Sequence, residues 1–216
     1  MPVIGITGGV ACGKTTFIEE LRKHFATATW FSADKEVAVL TSKDAQVRKS
    51  IAEIFGLEVF NHDGTYNRNR VRELVFADDT LRQRLNAILH PRVRESWTTL
   101  AKSHREPHCW LFLEIPLLYE TRSEVHCDRV ITVGCTLETQ MQRLTVLRKL
   151  PKELAEQIRA TQWNLEEKSN RADHLIWNDC PCLKRQTASC AAWLRSHYAH
   201  VHQPAVSDSL APQSPF

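Results

Sequence analysis

Val3-Ile-Gly-Ile-Thr-Gly-Gly-Val-Ala-Cys-Gly-Lys-Thr-Thr16 decides how the rest of the chain is read. Its first five residues form a short β-rich apolar run, ended by Gly8 and Gly9. Beyond the loop, Phe17, Ile18, Leu21 and Phe25 recur at helical spacing, so strand, glycine turn and helix are expected in succession. Gly8 to Thr15 has the spacing glycine, four residues, glycine, lysine, threonine. Phosphate oxygens need several backbone N–H donors at close range, and a side-chain-poor loop at a helix N-terminus presents them. Gly8, Gly9 and Gly13 permit that path. The expected nucleotide-binding residues are Gly9, Val10, Ala11, Cys12, Gly13, Lys14, Thr15 and Thr16. Lys14 is the point charge for the β- and γ-phosphates, the Thr15 hydroxyl a Mg²⁺ ligand, and Thr16 a neighbour of the α-phosphate. Such a match arises by chance in roughly one chain of this length in a hundred.

The whole chain has 216 residues, 43% of them hydrophobic and 25% charged, which suits one domain enlarged by an insertion. A net charge of +3 is too slight to imply nucleic-acid binding. The best apolar run, Cys109 to Tyr119, is broken by Glu114 and Pro116, so no membrane partner is expected. The N-terminus lacks a basic leader. The seven cysteines are odd in number and irregularly spaced. A reduced, cytoplasmic protein with mostly free thiols is expected.

Ala28 to Ala33 reads as a second strand with Asp34 at its end. From Asp44 to about His104 the pattern is almost all helical. Trp110 to Ile115 is the best candidate for a central strand, and Arg129 to Gly134 is another. Thr136 suits a helix N-cap and Pro151 a helix start, before a last strand at His174 to Trp177 and a last helix from Leu183 to about Tyr198. The polar tail, 203–216, is expected to be disordered. Strands alternating with helices indicate an α/β fold with a parallel sheet and binding at the carboxyl ends of its strands. Core segments are expected at 1–35, 107–135 and 170–200, with a helical insertion at 36–106 and a lid at 136–169.

Asp34 and Glu114 stand at strand ends. A carboxylate facing the γ-phosphate suits a base, and one ending the strongest apolar run suits a water on Mg²⁺. Helix N-capping is the plain alternative for Asp34. Cys12, at a helix N-terminus, sits in a field that favours thiolate; a small residue tolerated in a tight loop is the alternative. Cys180, Cys182, Cys190, His197, His200 and His202 have the wrong spacing for common zinc modules and read as a helix face and its frayed end.

A guanine-reading Asn-Lys-x-Asp is absent, and the size disfavours a motor or transporter ATPase, which leaves a small kinase. Ser32-Ala-Asp34, Phe55-Gly56, Asp63-Gly64 with Arg68, Val75-Phe76, Leu89-His90-Pro91, Pro116-Leu-Leu-Tyr-Glu120, Gln140 with Arg143, Gln162 and Asn178 follow the loop in an order that resembles the dephospho-CoA kinase family. The resemblance spans about residues 3 to 180. It implies a P-loop NTPase three-layer fold and transfer of the ATP γ-phosphoryl group to the ribose 3′-hydroxyl of dephospho-CoA, with Mg²⁺, in a monomer or small homo-oligomer. It also implies Asp34, Lys14 and Arg143 as catalytic, Asn178 as nucleotide-binding, and Asp34, Arg68, His90 and Leu117 as acceptor-binding residues, with Thr15 and Glu114 toward the metal. Pro91 reads best as a helix break. Another small-molecule kinase, or a nucleotide-binding module without turnover, stays open. Three departures bear on the acceptor side: Ser32 where the family has a carboxylate, Ala38 where it has an arginine, and one extra residue between Arg143 and Arg148. The last shifts Arg148 by about 100° on a regular helix.

Overall fold

The computed structural model describes residues 2–103, 109–179 and 181–199. Cys180, the histidines at 200 and 202 and the 203–216 tail lie outside them. Five strands, β1 (Val3–Gly8), β2 (Thr29–Ser32), β3 (Leu111–Glu114), β4 (Arg129–Gly134) and β5 (His174–Trp177), form one parallel sheet in the order β2-β3-β1-β4-β5. Strand alternation sends Ile4, Ile6, Phe112, Ile131, Val133 and Ile176 to one face, where they pack with Phe17, Ile18 and Leu21 of α1 (Lys14–Arg22) and Cys190, Ala191 and Leu194 of α9 (Leu183–His197). Leu111, Leu113 and Val130 point to the other face. They meet α2 (Ala33–Lys43), α3 (Ala45–Phe55), α4 (Arg68–Ala77) and α5 (Asp79–Ser103) through Leu40, Val47, Ile51, Val71, Leu89, Val93 and Trp97. The helical stretch between β2 and β3 therefore covers one face of the sheet as well as extending from it.

The second strand is shorter than its apolar run. Ser32 keeps an extended backbone (φ −127°, ψ 120°), and α2 starts on the next residue, with Asp34 and Glu36 in a first turn that the helix dipole favours. Ser32 makes no side-chain capping bond, so neither it nor Asp34 spends its side chain as a cap. Pro91 does not break its helix. It lies inside α5, where Leu89, Val93 and Trp97 share a buried face that offsets the lost backbone hydrogen bond. Beyond β4, α6 (Leu137–Gln142) is capped by the Thr136 hydroxyl, and α7 (Lys152–Ala160) follows Pro151. The short α8 (Leu165–Arg171) packs on β4. Among the described residues five cysteines are free thiols, and Cys182 is disulfide-bonded.

Phe112 is fully buried, stacked 4.2 Å from the Trp30 ring and tilted against Phe25. Phe112→Ala is expected to cost about 3–5 kcal/mol in urea unfolding; a loss below about 1 kcal/mol would show that this face is not the packed core described.

Candidate active site

The loop after β1 closes with Ala11 at φ 58° and Gly13 at φ 84°, left-handed conformations that end in the N-terminus of α1. Gly13 must be glycine on a second ground: a Cβ there would stand 2.0 Å from Asn178 Nδ2. That amide donates to the Cys12 carbonyl at 2.9 Å. Gln140 Nε2 donates to the Val10 carbonyl at 3.1 Å, and Gln162 Oε1 accepts the Val10 N–H at 2.9 Å. Side chains from distant elements thus hold the loop backbone in place. Lys14 Nζ donates to the carbonyls of Gly8 (3.0 Å) and Gly9 (2.9 Å). Burial holds this lysine below its ordinary value; Cys12, Glu114 and Asp34 pull it back up, while Lys168 adds to the lowering.

The ladder aligns the strand ends, with Ile6 opposite Glu114 and Glu114 opposite Ser32. Pro116 and Leu117 follow β3 directly. A cavity of about 370 Å³ is lined by Val10, Ala11, Gly13, Lys14, Thr15, Asp34, Glu114, Pro116, Leu117, Arg148, Thr161 and Gln162. Asp34 also borders an apolar cleft with His90, Trp97 and Leu117, and a third cavity with Arg68 and Arg72. A fourth, shared by His90, Leu117 and Glu120, carries Arg82 and Arg94. The Asp34 and Glu114 carboxylates make no hydrogen bond or ion pair to a described residue. His90 is held below the ordinary histidine value by burial, then by Arg94. No three His, Cys, Asp or Glu side chains among the described residues gather into a metal cage.

Arg143 and Arg148 stand in different surroundings. Arg143 Nη1 donates to the Ala11 carbonyl at 3.1 Å and Nη2 to the Asn178 carbonyl at 2.8 Å, so its guanidinium links the loop to the residue after β5. Arg148 lines the loop cavity. The extra residue between them does not rotate Arg148 away, because Arg143–Leu147 form a π-helical turn, with the Arg148 N–H bonded to the Arg143 carbonyl five residues back. Such a bulge absorbs one residue within a helix. Asn178 likewise meets the loop, through the Cys12 carbonyl.

Two groups escaped the sequence reading. Cys135, just after β4, donates to Cys12 across a buried 3.5 Å contact. Lys168, in a stretch that reads as solvated charge, is fully buried with Nζ 2.9 Å from Glu120. The hydrogen bond from Cys135 lowers Cys12 from 9.0 to about 6, assisted by Lys14 and Gln140 and opposed by burial. Cys135 is raised, first by that same bond and then by burial. Between about pH 6 and 9 the native Cys12 holds fewer protons than the unfolded one, so its contribution to stability grows with pH there and is lost as pH falls through about 6. Cys12→Ser is expected to flatten the rise in urea midpoint over that window; parallel curves for the two proteins would contradict the assignment.

The model of the dephospho-CoA kinase family matches residues 2–183. A dephospho-CoA kinase of Symbiobacterium thermophilum is 36% identical over 210 residues, covering 97% of this chain and 87% of that one. Among solved structures, a dephospho-CoA kinase from Campylobacter jejuni superposes with a TM-score of 0.66 at 24% identity, over 90% of this chain and 98% of the other. A shikimate kinase from Acinetobacter baumannii, in complex with shikimate, gives 0.50 at 16% identity over 92% and 95%. Both likenesses show the P-loop NTPase α/β fold. With a glycine loop at the strand ends, Asp34 and Glu114 lining one cavity with it, and a family match over most of its length, the chain belongs to the dephospho-CoA kinase family.

Proposed function

We propose that this kinase transfers the ATP γ-phosphoryl group to the ribose 3′-hydroxyl of dephospho-CoA at the place where Asp34 joins three cavities. The observation that carries the assignment is that the Asp34 carboxylate borders the loop cavity, the apolar cleft and the arginine-bearing cavity of Arg68 and Arg72 at once. A donor on one side and an acceptor on the other would meet beside it. The core is read as the sheet with α1 and α9, the helices of 36–106 as the acceptor-binding insertion, and 136–169 as the lid.

The loop N–H groups of Gly9 to Thr16 cradle the ATP phosphates, and Lys14 exchanges its carbonyl partners for the β- and γ-phosphate oxygens. Arg148 supplies the second cation in that cavity, while Arg143 and Asn178 keep the loop in shape. Asp34 accepts the proton of the 3′-hydroxyl and orients it for in-line attack. Arg68 and Arg72 on one side, and Arg82 and Arg94 on the other, suit the acceptor's diphosphate, with His90 and Leu117 in contact with the acceptor's less polar parts. Thr15 and Glu114 fit Mg²⁺: they are hard oxygen donors in one cavity, and the Glu114 carboxylate has no partner among the described residues. When bound with ATP, Mg²⁺ would neutralise phosphate charge there, one hydroxyl and one carboxylate sufficing where phosphates and waters supply the remaining ligands. The expected setting is cytoplasmic, as a monomer or small homo-oligomer.

Mixing the protein with Mg·ATP and dephospho-CoA is expected to yield CoA and ADP in equal amounts; ADP formation only with a different acceptor would replace the assigned substrate. Asp34→Ala is expected to bind ATP within about twofold of the parent and to lose about a hundredfold or more in kcat. An unchanged kcat would remove Asp34 from the chemistry.

A further inference from the structure

Lys168 is fully buried, yet it belongs to no part of the phosphate or acceptor machinery described above. Its Nζ donates to the Pro116 carbonyl at 3.0 Å and lies 2.9 Å from Glu120 Oε1. The same Glu120 oxygen accepts the Trp163 N–H at 2.8 Å. Pro116 receives a second donor, the Thr7 hydroxyl at the end of β1, at 3.0 Å. The ion pair is thus wired in two directions. One leads to the Pro116-Leu117 turn, whose residues line both the loop cavity and the apolar cleft. The other leads to Trp163 and its neighbour Gln162, whose side chain holds the Val10 N–H of the phosphate loop.

Stability alone is a poor account of this arrangement. Removing two charges from water costs several kcal/mol per ion, and a pair of well-packed neutral residues often does as well. Glu120 Oε2 is moreover buried without a hydrogen-bond partner, an imperfection that adds to the cost. What a charged pair provides here is reach and direction: one ammonium spans a carbonyl and a carboxylate, and one carboxylate oxygen receives both the ammonium and a backbone N–H.

We propose that Lys168 and Glu120 form a positioning pair that sets the Pro116-Leu117 turn against the phosphate loop, and so aligns the acceptor hydroxyl with the γ-phosphate. The inference rests on the reading of Leu117 as acceptor-facing. A displacement of the turn by about 1 Å costs on the order of a hundredfold in an alignment-limited transfer. The loop keeps its other braces, from Gln140, Arg143 and Asn178, so ATP binding is expected to change little. A less well held acceptor also leaves the γ-phosphate open to water.

The test uses three variants: Lys168→Met, Glu120→Gln and the double variant. Each single change leaves a partner stranded and is expected to lower the thermal midpoint; the double variant, neutral at both places, is expected to regain most of it. In the refolded double variant, kcat for CoA formation is expected to fall about thirtyfold or more, with Mg·ATP affinity within about twofold and more than one ADP released per CoA formed. Loss of folded protein would lower ADP and CoA formation together and leave their ratio at one. A double variant with the parent's kcat, or with ADP and CoA reduced by the same factor, overturns the positioning role. Where the unmutated protein forms CoA, that failure concerns the pair alone; where it forms none, the acceptor reading on which the pair's role depends is itself overturned.

Discussion

Parallel pairing of β3 with both β1 and β2, in a register that sets Ile6, Glu114 and Ser32 side by side, is the constraint on which the site depends. Side chains alternate along a strand, so a slip of one residue would carry Phe112 and Glu114, which share a face, to the opposite one, and exchange them with Leu111 and Leu113. Both faces are buried, which makes such a slip costly: Ile4, Ile6 and Phe112 belong to one apolar layer and Leu111 and Leu113 to the other. The hydrophobic core thereby fixes a chemical coordinate. Glycine loop, Asp34 and Glu114 leave the sheet at one level and converge on one cavity because their strands end together.

Strand register alone does not hold the loop. Its donors must point at phosphates, which leaves its carbonyls and the Val10 N–H to be fixed from behind. Gln140, Gln162, Arg143 and Asn178 do so from α6, the connection after α7, the π-helical turn and the end of β5. The 136–169 segment and the loop are joined through these bonds. Arg143 is the clearest instance of a side chain that ties the loop to another element, through the Ala11 and Asn178 carbonyls. Cys12 and Cys135 extend the same support into the core, where one sulfur serves as the other's acceptor.

Much of this was legible in the amino-acid sequence. β4 and β5 occupy the spans their apolar runs indicate, and Thr136 caps α6 as its position implies. Local pattern failed where tertiary packing decided the outcome. Pro91 reads as a break, but the buried face of α5 continues through it. The spacing from Arg143 to Arg148 implies a rotated arginine on a regular helix, whereas the π-helical turn takes up the extra residue. Lys168 lies in a Glu-Glu-Lys-Ser-Asn-Arg stretch that resembles any solvated helix face, and nothing local marks Glu120 as its partner. Asp34 was visible as a carboxylate at a strand end. That it borders three cavities follows from folding.

The account stands or falls on one geometry, the acceptor hydroxyl lying between Asp34 and the γ-phosphate. A crystal structure with Mg²⁺, a non-hydrolysable ATP analogue and dephospho-CoA would observe it directly. The account predicts the ribose 3′-hydroxyl within hydrogen-bonding distance of the Asp34 carboxylate and facing the γ-phosphate, with Arg148 on the phosphates and Arg143 still on the Ala11 carbonyl. An acceptor bound on the far side of Leu117, with its 3′-hydroxyl out of reach of Asp34, would contradict it.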